Sequence, residues 1–218
     1  MRIMKVREVF VSIQGESSSA GLPTVFVRFA GCNLRCRYCD TTYAYEGGEQ
    51  ISSAELVSRI SRWPFRRVCL TGGEPLLQPQ EEIQQLLDTL SGWEVSVETN
   101  GSLALEPFTL HPGQRWVMDV KCPGSGEEAA NRWENLRRLS PEDEVKFVLS
   151  DREDYLWACR VIREWDLARR VRVLMSPVWN RLDPQDLADW ILDDGLDVRL
   201  QLQLHKIIFK GRGEGRNI

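Results

Sequence analysis

Three cysteines stand within eight residues of this chain and form its densest group of potential metal ligands. The stretch reads Cys32-Asn33-Leu34-Arg35-Cys36-Arg37-Tyr38-Cys39. Thiolates are the soft ligands that iron–sulfur clusters require. Three of them would fill three corners of a four-iron cubane and leave the fourth iron open for a cofactor. The spacing therefore predicts a 4Fe–4S cluster bound by Cys32, Cys36 and Cys39.

A structural zinc site is the alternative that these cysteines leave open. Structural zinc usually takes four protein ligands, and the sequence has no second pair of closely spaced cysteines. His111 or His205 could complete such a site only through a long-range contact. We expect Cys69 and Cys159 to be core residues, because each lies in an apolar segment and a buried free cysteine packs as a small hydrophobe.

A glycine pair after a short apolar strand is the second candidate feature. Thr71-Gly72-Gly73-Glu74-Pro75 follows Val68-Cys69-Leu70. Glycine allows a ligand to approach the backbone closely, and Glu74 or nearby carbonyls could accept hydrogen bonds from an ammonium group. By itself such a pair usually only ends a strand.

The wider sequence alternates extended and helical segments. Strands are predicted at 24–29, 68–70, 95–97, 116–120, 145–149, 171–175 and 198–202. A capping box at Ser52–Glu55 begins one helix, Ile83 to Leu90 carry helical spacing, and further helices are predicted near 153–164 and 184–193. This alternation predicts an α/β fold, a partial (abbreviated) TIM-like barrel with about six parallel strands and its site at the strand ends.

The length, charge and composition of the chain indicate the number of domains and argue against some classes of protein. The chain has 218 residues, a net charge of −4 and 42% hydrophobic residues, which predicts one domain over 1–218 and argues against a nucleic-acid or membrane-surface binder. No apolar run approaches the roughly 20 residues of a membrane span. The first residues lack an apolar signal core, so we expect a cytoplasmic protein. Gly and Arg residues recur at 209–218, a composition typical of a mobile end.

The cysteine spacing and the glycine pair together resemble the radical S-adenosylmethionine (SAM) superfamily. Its signature is CxxxCxxC with an aromatic residue before the last cysteine, where Tyr38 stands, and a GGEP segment, here at 72–75. The resemblance implies that a reduced cluster transfers an electron to SAM and releases a 5′-deoxyadenosyl radical. The electron would come from a flavodoxin-like or ferredoxin-like protein.

Further motifs resemble one family within this superfamily, 7-carboxy-7-deazaguanine synthase. They are Ser12-Ile13-Gln14-Gly15-Glu16, Val27 to Cys32, Cys39-Asp40-Thr41, Glu98-Thr99-Asn100-Gly101 and Leu202-Gln203-Leu204-His205-Lys206. The resemblance implies conversion of 6-carboxy-5,6,7,8-tetrahydropterin to 7-carboxy-7-deazaguanine, with ring contraction and loss of ammonia, in queuosine and 7-deazapurine biosynthesis. It also implies a homodimer.

The same resemblance implies the roles of individual residues. Substrate would contact Ile13, Gln14, Gly15, Glu16, Arg28 and Thr71. SAM would contact Tyr38, Cys39, Asp40, Gly73, Asp119, Val120, Lys121, Ser176, Pro177, Val178 and Trp179. Thr41 would be a ligand of Mg²⁺.

The residue types suit these roles. Gln14 offers a donor and an acceptor to a pterin edge, Glu16 can accept from its N–H groups, and Arg28 can pair with a carboxylate through two parallel hydrogen bonds. A hydroxyl at Thr41 could share Mg²⁺ with the substrate carboxylate and water. Without the resemblance, the same residues would be assigned to a solvated loop (Gln14), a surface ion pair (Arg28) and turn capping (Thr41).

The sequence departs from the family pattern at two places, and two other classes of protein remain possible. Ser17 stands where the family commonly has glycine, and Asp119-Val120-Lys121 differs from the Ser-Pro-Lys version of some members. An activase that makes a glycyl radical on a partner protein would share the cluster loop but would not need the pterin-reading residues. A zinc-binding interaction module is the third possibility.

Overall fold

One nine-stranded sheet with helices packed against it makes up the protein, and the computed structural model describes residues 3–209. The strands are β1 (Met4–Ile13), β2 (Pro23–Phe29), β3 (Glu49–Ile51), β4 (Arg67–Gly72), β5 (Glu94–Thr99), β6 (Gln114–Val120), β7 (Glu144–Leu149), β8 (Arg172–Pro177) and β9 (Arg199–Leu200). Their order in the sheet is β3-β1-β2-β4-β5-β6-β7-β8-β9. The Gly- and Arg-rich end of the chain, from residue 210, lies outside the described residues.

All neighbouring strands from β2 to β9 run parallel, so the sheet has seven parallel strands where about six were predicted. The last of them, β9, has only two residues. At the other edge, β1 and β3 add antiparallel pairs that the sequence patterns did not predict. Because parallel strands place their carboxyl ends at one edge of the sheet, the polar residues that follow them gather there.

The α-helices of the described residues are α1 (Ser53–Ile60), α2 (Gln80–Thr89), α3 (Arg152–Glu164), α4 (Leu167–Arg170), α5 (Pro184–Asp193) and α6 (Leu204–Ile208). The helices α1, α2, α3 and α5 lie close to their predicted positions, whereas the short helices α4 and α6 were not predicted. The predicted cap is confirmed, because the Ser52 hydroxyl accepts a hydrogen bond from the Glu55 amide at 3.3 Å. Leu56 and Ile60, one turn apart, are fully buried on the inner face of α1.

Alternate residues of the central strands have different environments. Val68, Leu70, Val95 and Val97 belong to the apolar core shared with the helices. Residues between them face the other side of the sheet, because side chains alternate along a strand. That second face carries polar groups, among them Thr71 and Glu98, and it forms the lumen of the fold. The core therefore holds the strands in place, while the opposite face is left for chemistry.

Cys69 and Cys159 are both buried, as predicted. Cys69 nevertheless lies on the lumen face, and its thiol donates a hydrogen bond to Glu98 at 3.3 Å. Among the described residues, no helix is both long enough and apolar enough to cross a membrane.

Candidate active site at the carboxyl ends of the parallel strands

The loop that carries Cys32, Cys36 and Cys39 follows β2 directly. It begins at Gly31, whose φ of +95° is in the region that glycine adopts without a steric penalty. Backbone hydrogen bonds hold the loop, from Gly31 N to the Ala44 carbonyl (2.8 Å) and from Cys39 N to the Cys36 carbonyl (3.1 Å). All three cysteines are partly exposed, whereas the other three of the chain are buried.

The donor set of this loop consists of three thiols, the soft ligands that iron–sulfur clusters take. Within residues 3–209, no group of three or more His, Cys, Asp or Glu side chains is arranged to hold one ion. His111 instead bonds to Asp88 at 2.7 Å, so it does not complete a zinc site. Burial raises the pKa of the Cys32 and Cys36 thiols. Three soft ligands on one loop are what a 4Fe–4S cluster with an open iron requires.

The glycine pair packs directly against the base of this loop. A Cβ atom at Gly73 would lie 1.8 Å from the Gly31 carbonyl oxygen, so only glycine fits at this position. The Glu74 amide donates to the same oxygen at 2.7 Å. This contact holds the Gly73 backbone beside the cysteines, which is where SAM would bind.

The Glu74 side chain does not face the site, contrary to the sequence-based suggestion that it accepts from an ammonium group. It is fully buried and accepts hydrogen bonds from Leu76 N (3.0 Å), Thr99 Oγ1 (2.9 Å) and Asn100 N (2.7 Å). Burial raises its pKa to about 7 despite these donors. Glu74 thus links the turn after β4 to the segment after β5, and Asn100 in turn contacts Cys32 Sγ at 3.8 Å.

Three residues around the last cysteine have distinct contacts. The Tyr38 hydroxyl donates to the Val148 carbonyl at 3.1 Å and ties the loop to β7. Asp40 accepts from Lys206 Nζ at 2.7 Å and from Gln203 Nε2 at 3.4 Å. The Thr41 side chain caps no helix and lies 3.7 Å from Cys39 Sγ, so its hydroxyl is not used for turn capping.

Arg28 and Thr71 are register partners on β2 and β4. The Arg28 guanidinium pairs with Glu8 at 2.7 Å and lies 5.7 Å from the ring centres of Phe10 and Tyr43. Its side chain is only 15% exposed, so this is not a solvated surface ion pair. Thr71 Oγ1 donates to Glu98 Oε2 at 3.2 Å.

Residues 13–16, the last residue of β1 and the three that follow it, turn into the lumen. Gln14 is buried: its Nε2 donates to Glu98 Oε1 at 3.4 Å and its Oε1 accepts from Glu16 N at 3.2 Å. Gly15 leaves no room for a side chain, because an added Cβ would lie 2.1 Å from His205 Nδ1. Ile13, the last residue of β1, is partly buried. The solvated-loop interpretation of Gln14 is therefore wrong.

A series of ion pairs connects this segment to β6. Glu16 accepts from Lys146 Nζ at 2.9 Å and from Gln203 Nε2 at 2.8 Å. Lys146 also lies 3.4 Å from Asp119, which accepts from Lys121 Nζ at 2.7 Å. Burial disfavours the charged form of Lys146, yet Asp119, Glu16 and Glu98 together hold its pKa well above the usual value.

The residues 176–179 at the end of β8 are divided between the interior and the surface. Ser176 and Pro177 are buried, Val178 is partly buried, and Trp179 is 44% exposed. Pro177, Val178 and Trp179 line a cavity of about 440 Å³ together with Leu202 and Gln203. Val120, next to the charged pair at Asp119 and Lys121, is buried in the apolar core.

Two residues at the centre of the site were not among the predicted site residues. Glu98 accepts from Gln14, Cys69 and Thr71, and Lys146 bridges Glu16 and Asp119. Burial raises the pKa of Glu98, although Lys146 acts in the opposite direction. The sequence carried a signal for each of them. Glu98 directly follows the predicted strand at 95–97, and Lys146 is the one charged residue inside the predicted apolar strand at 145–149.

Comparisons with known proteins agree with this arrangement. The radical SAM superfamily model matches residues 26–109. The 7-carboxy-7-deazaguanine synthase of Koribacter versatilis is 42% identical over 228 residues, covering 97% of this chain and 100% of that protein. The Clostridium acetobutylicum protein of the same name is 41% identical, covering 97% and 98%.

Solved structures show the same fold at lower identity. The crystal structure of QueE from Escherichia coli has a TM-score of 0.73 and 21% identity, covering 92% of this chain and 94% of that one. The structure of anSMEcpe with bound AdoMet has a TM-score of 0.52 and 17% identity, covering 83% and 64%. The predicted partial radical SAM barrel is therefore confirmed. With two relatives above 40% identity over nearly its whole length, the chain belongs to the 7-carboxy-7-deazaguanine synthase family of radical SAM enzymes.

Proposed function

We propose that this enzyme converts 6-carboxy-5,6,7,8-tetrahydropterin to 7-carboxy-7-deazaguanine, with ring contraction and loss of ammonia, in the biosynthesis of queuosine and other 7-deazapurines. One observation carries the proposal. The cysteine loop, the buried Gln14 and the partly buried carboxylates of Glu16 and Glu98 lie at the same edge of one sheet. A flat, nitrogen-rich heterocycle needs such acceptors beside the source of the radical.

Cys32, Cys36 and Cys39 would hold the 4Fe–4S cluster, and SAM would take the open iron. When bound, the two groups supply a carbon radical that removes a hydrogen atom from the substrate. Gly73, whose backbone packs against Gly31 at the base of the cluster loop, would contact SAM. The other SAM contacts would come from Tyr38, Asp40, Asp119, Val120, Lys121 and residues 176–179.

Substrate binding would use both walls of the lumen. Gln14 and Glu16 would accept from the N–H groups of the pterin, with the backbone of Ile13 and Gly15 completing this edge. Thr71 and Arg28 would face the carboxylated end. Arg28 pairs with Glu8, so substrate would have to share or replace that partner. Fixing the pterin at both ends would hold the reacting carbon close to the radical.

Mg²⁺ would be held by the Thr41 hydroxyl, which makes no capping hydrogen bond. Magnesium commonly keeps several waters and takes few protein oxygens, so Thr41 and the substrate carboxylate could serve as its other ligands. The ion would neutralise the carboxylate beside Cys39.

The remaining parts of the proposal concern the organisation of the enzyme. Residues 1–218 would form a single radical SAM domain, and two copies would form a homodimer in the cytoplasm. A flavodoxin-like or ferredoxin-like protein would supply the electron. Neither a nucleic acid nor a membrane takes part in this reaction.

Anaerobic turnover tests the proposal directly. The reconstituted protein is incubated with 6-carboxytetrahydropterin, SAM, Mg²⁺ and dithionite, and the products are identified by mass spectrometry. We expect 7-carboxy-7-deazaguanine and one ammonia per product. Reductive cleavage of SAM with no change in the pterin would contradict the substrate assignment but not the radical SAM chemistry.

A further inference from the structure

Lys146 occupies an unusual place for a lysine. It lies within β7 between Val145 and Phe147, and only 8% of its surface is exposed. Its ammonium group donates to Glu16 Oε2 at 2.9 Å and lies 3.4 Å from Asp119 Oδ1. Removing a partner from a buried ion pair is strongly destabilising, because it leaves an uncompensated buried charge.

The two carboxylates of this group are not equally satisfied. Both oxygens of Glu16 accept a hydrogen bond, from Lys146 and from Gln203. Asp119 Oδ2 accepts from Lys121, but Asp119 Oδ1 is buried and has no hydrogen-bond partner among the described residues. A buried unsatisfied oxygen is uncommon and costs free energy. The Lys146 ammonium is the donor placed to satisfy it after a shift of roughly 0.5 Å, which is the excess over an ordinary 2.9 Å bond.

We propose that Lys146 is a positioning residue that couples substrate binding at Glu16 to SAM binding at Asp119 and Lys121. The proposal rests on the proposed function, in which Glu16 contacts the pterin and residues 119–121 contact SAM. In this role Lys146 would act through its contacts with Glu16 and Asp119 and not by binding a ligand itself. It acts by dividing its hydrogen bonds between two carboxylates that belong to the two binding sites.

The physical reason is competition for one ammonium group. N–H donors of the pterin would satisfy Glu16 and weaken its attraction for Lys146. The ammonium would then move to Asp119 Oδ1 and fix the Asp119–Lys121 pair. The segment that follows Lys121 contacts the cluster loop, since Arg37 N donates to the Ser125 carbonyl at 3.0 Å. Substrate binding would thereby order the SAM-binding residues beside the cluster loop.

Coupling of this kind is reciprocal, so substrate should tighten SAM binding and SAM should tighten substrate binding by the same factor. A lysine with only a structural role would neutralise buried carboxylates, and its loss would lower stability and both affinities together. The ratio of SAM affinities with and without substrate distinguishes the two roles, because a general loss of stability leaves that ratio unchanged.

The experiment measures the dissociation constant of SAM by anaerobic calorimetry on protein with an oxidised cluster, so that no turnover occurs. Each protein is titrated with and without saturating 6-carboxytetrahydropterin. For the wild type we expect the pterin to tighten SAM binding at least about fivefold, the lower end of typical couplings. Lys146→Met keeps the aliphatic stem and removes the ammonium, and its ratio should be about one.

Two further variants sharpen the test. Lys5→Met removes a lysine whose side chain is exposed on β1, and it should keep the wild-type ratio. Glu16→Gln removes the charge that competes for Lys146, so SAM without pterin should bind about as tightly as it binds to the wild type with pterin. This variant decides the question even if Lys146→Met does not fold.

The outcomes separate the coupling from the proposed function. A wild-type ratio of fivefold or more that persists in Lys146→Met would overturn the coupling alone. So would an unchanged SAM affinity in Glu16→Gln. If the wild-type protein binds SAM but not the pterin, the proposed function fails and the coupling fails with it.

Discussion

The role of each cysteine in this chain depends on its surroundings. Cys32, Cys36 and Cys39 lie on a partly exposed loop, whereas Cys159 is 2% exposed inside α3. Cys36→Ala should therefore abolish binding of the cluster, since the two remaining thiolates cannot hold it. Cys159→Ala should keep full iron content at a cost on the order of 1 kcal/mol in stability. Iron and sulfide analysis after anaerobic reconstitution measures both, and a four-iron Cys36→Ala protein would contradict the ligand assignment.

The Thr41 hydroxyl makes no capping hydrogen bond to the turn that follows it. Thr41→Ala should raise the Mg²⁺ concentration needed for half-maximal activity while leaving SAM affinity unchanged, because a hard oxygen ligand is lost. Thr41→Ser keeps that oxygen and should behave as the wild type. The exposed neighbour provides the matched control, Thr42→Ala. Identical Mg²⁺ dependence in Thr41→Ala and Thr42→Ala would move the metal role to another residue.

Arg28 is held on β2 by Glu8 and two aromatic rings, at the level of Thr71. Charge-assisted hydrogen bonds contribute about 1.5–3 kcal/mol each, so Arg28→Ala should raise KM for the carboxylated pterin at least about tenfold. Arg28→Lys should restore only part of this, since an ammonium group lacks the planar fork.

Steady-state kinetics measure the effect, with iron content and SAM affinity on the same preparations. Arg67→Ala is the control, because Arg67 pairs with Glu94 at the amino end of β4, away from the site. Equal KM values in Arg28→Ala and the wild type would remove the carboxylate role of Arg28.

At the scale of elements, the connection from β1 to β2 contributes most to the candidate site, because its first residues enter the lumen. Ser17 in this connection is fully buried and has a φ of +64°. This left-handed conformation is one that glycine adopts without a steric penalty, which gives a physical reason for the glycine that the family resemblance leads us to expect here. In the same connection, Ser18 N donates to the buried carboxylate of Glu144 at 3.0 Å, and Arg115 donates to both Glu144 and the Ser19 hydroxyl.

A left-handed conformation costs an L-residue roughly 1–2 kcal/mol, and a β-branched side chain suffers most. Ser17→Val should lower the free energy of unfolding by about 2 kcal/mol or more, since it adds strain and overpacking. Ser17→Gly should stay within about 1 kcal/mol of the wild type, because relief of strain offsets the lost hydrogen bond to Ser19 N. Urea unfolding of the cluster-free protein measures both. A Ser17→Val variant as stable as the wild type would contradict this backbone conformation.

At the scale of the whole molecule, stability should depend on pH through Glu74. Its carboxyl pKa is raised by burial from 4.5 to about 7, so the folded protein binds this proton more tightly than the unfolded chain does. The Glu74 contribution to the free energy of unfolding must then fall as pH rises from about 4.5 to about 7, by up to ~3 kcal/mol.

Glu74→Gln cannot titrate and should show a smaller fall over the same pH range. Chemical unfolding of the two cluster-free proteins at several pH values gives the difference, which removes the contribution of every other titrating group. Parallel stability curves for the two proteins would show that Glu74 is already ionised at pH 5.

The sequence by itself predicted the three cluster ligands, the parallel strands, the four longer helices and the family. These features depend on local rules: ligand spacing within one loop, period-two and period-3.6 patterns, and caps such as Ser52. The antiparallel β1, the burial of Gln14, the inward-facing Glu98 and the bridge made by Lys146 were decided only by the tertiary structure. Each of them depends on contacts between residues far apart in the chain, up to 130 positions in the case of Glu16 and Lys146. Whether a charged side chain meets water or an opposite charge depends on the elements that pack over it, and no local pattern contains that information.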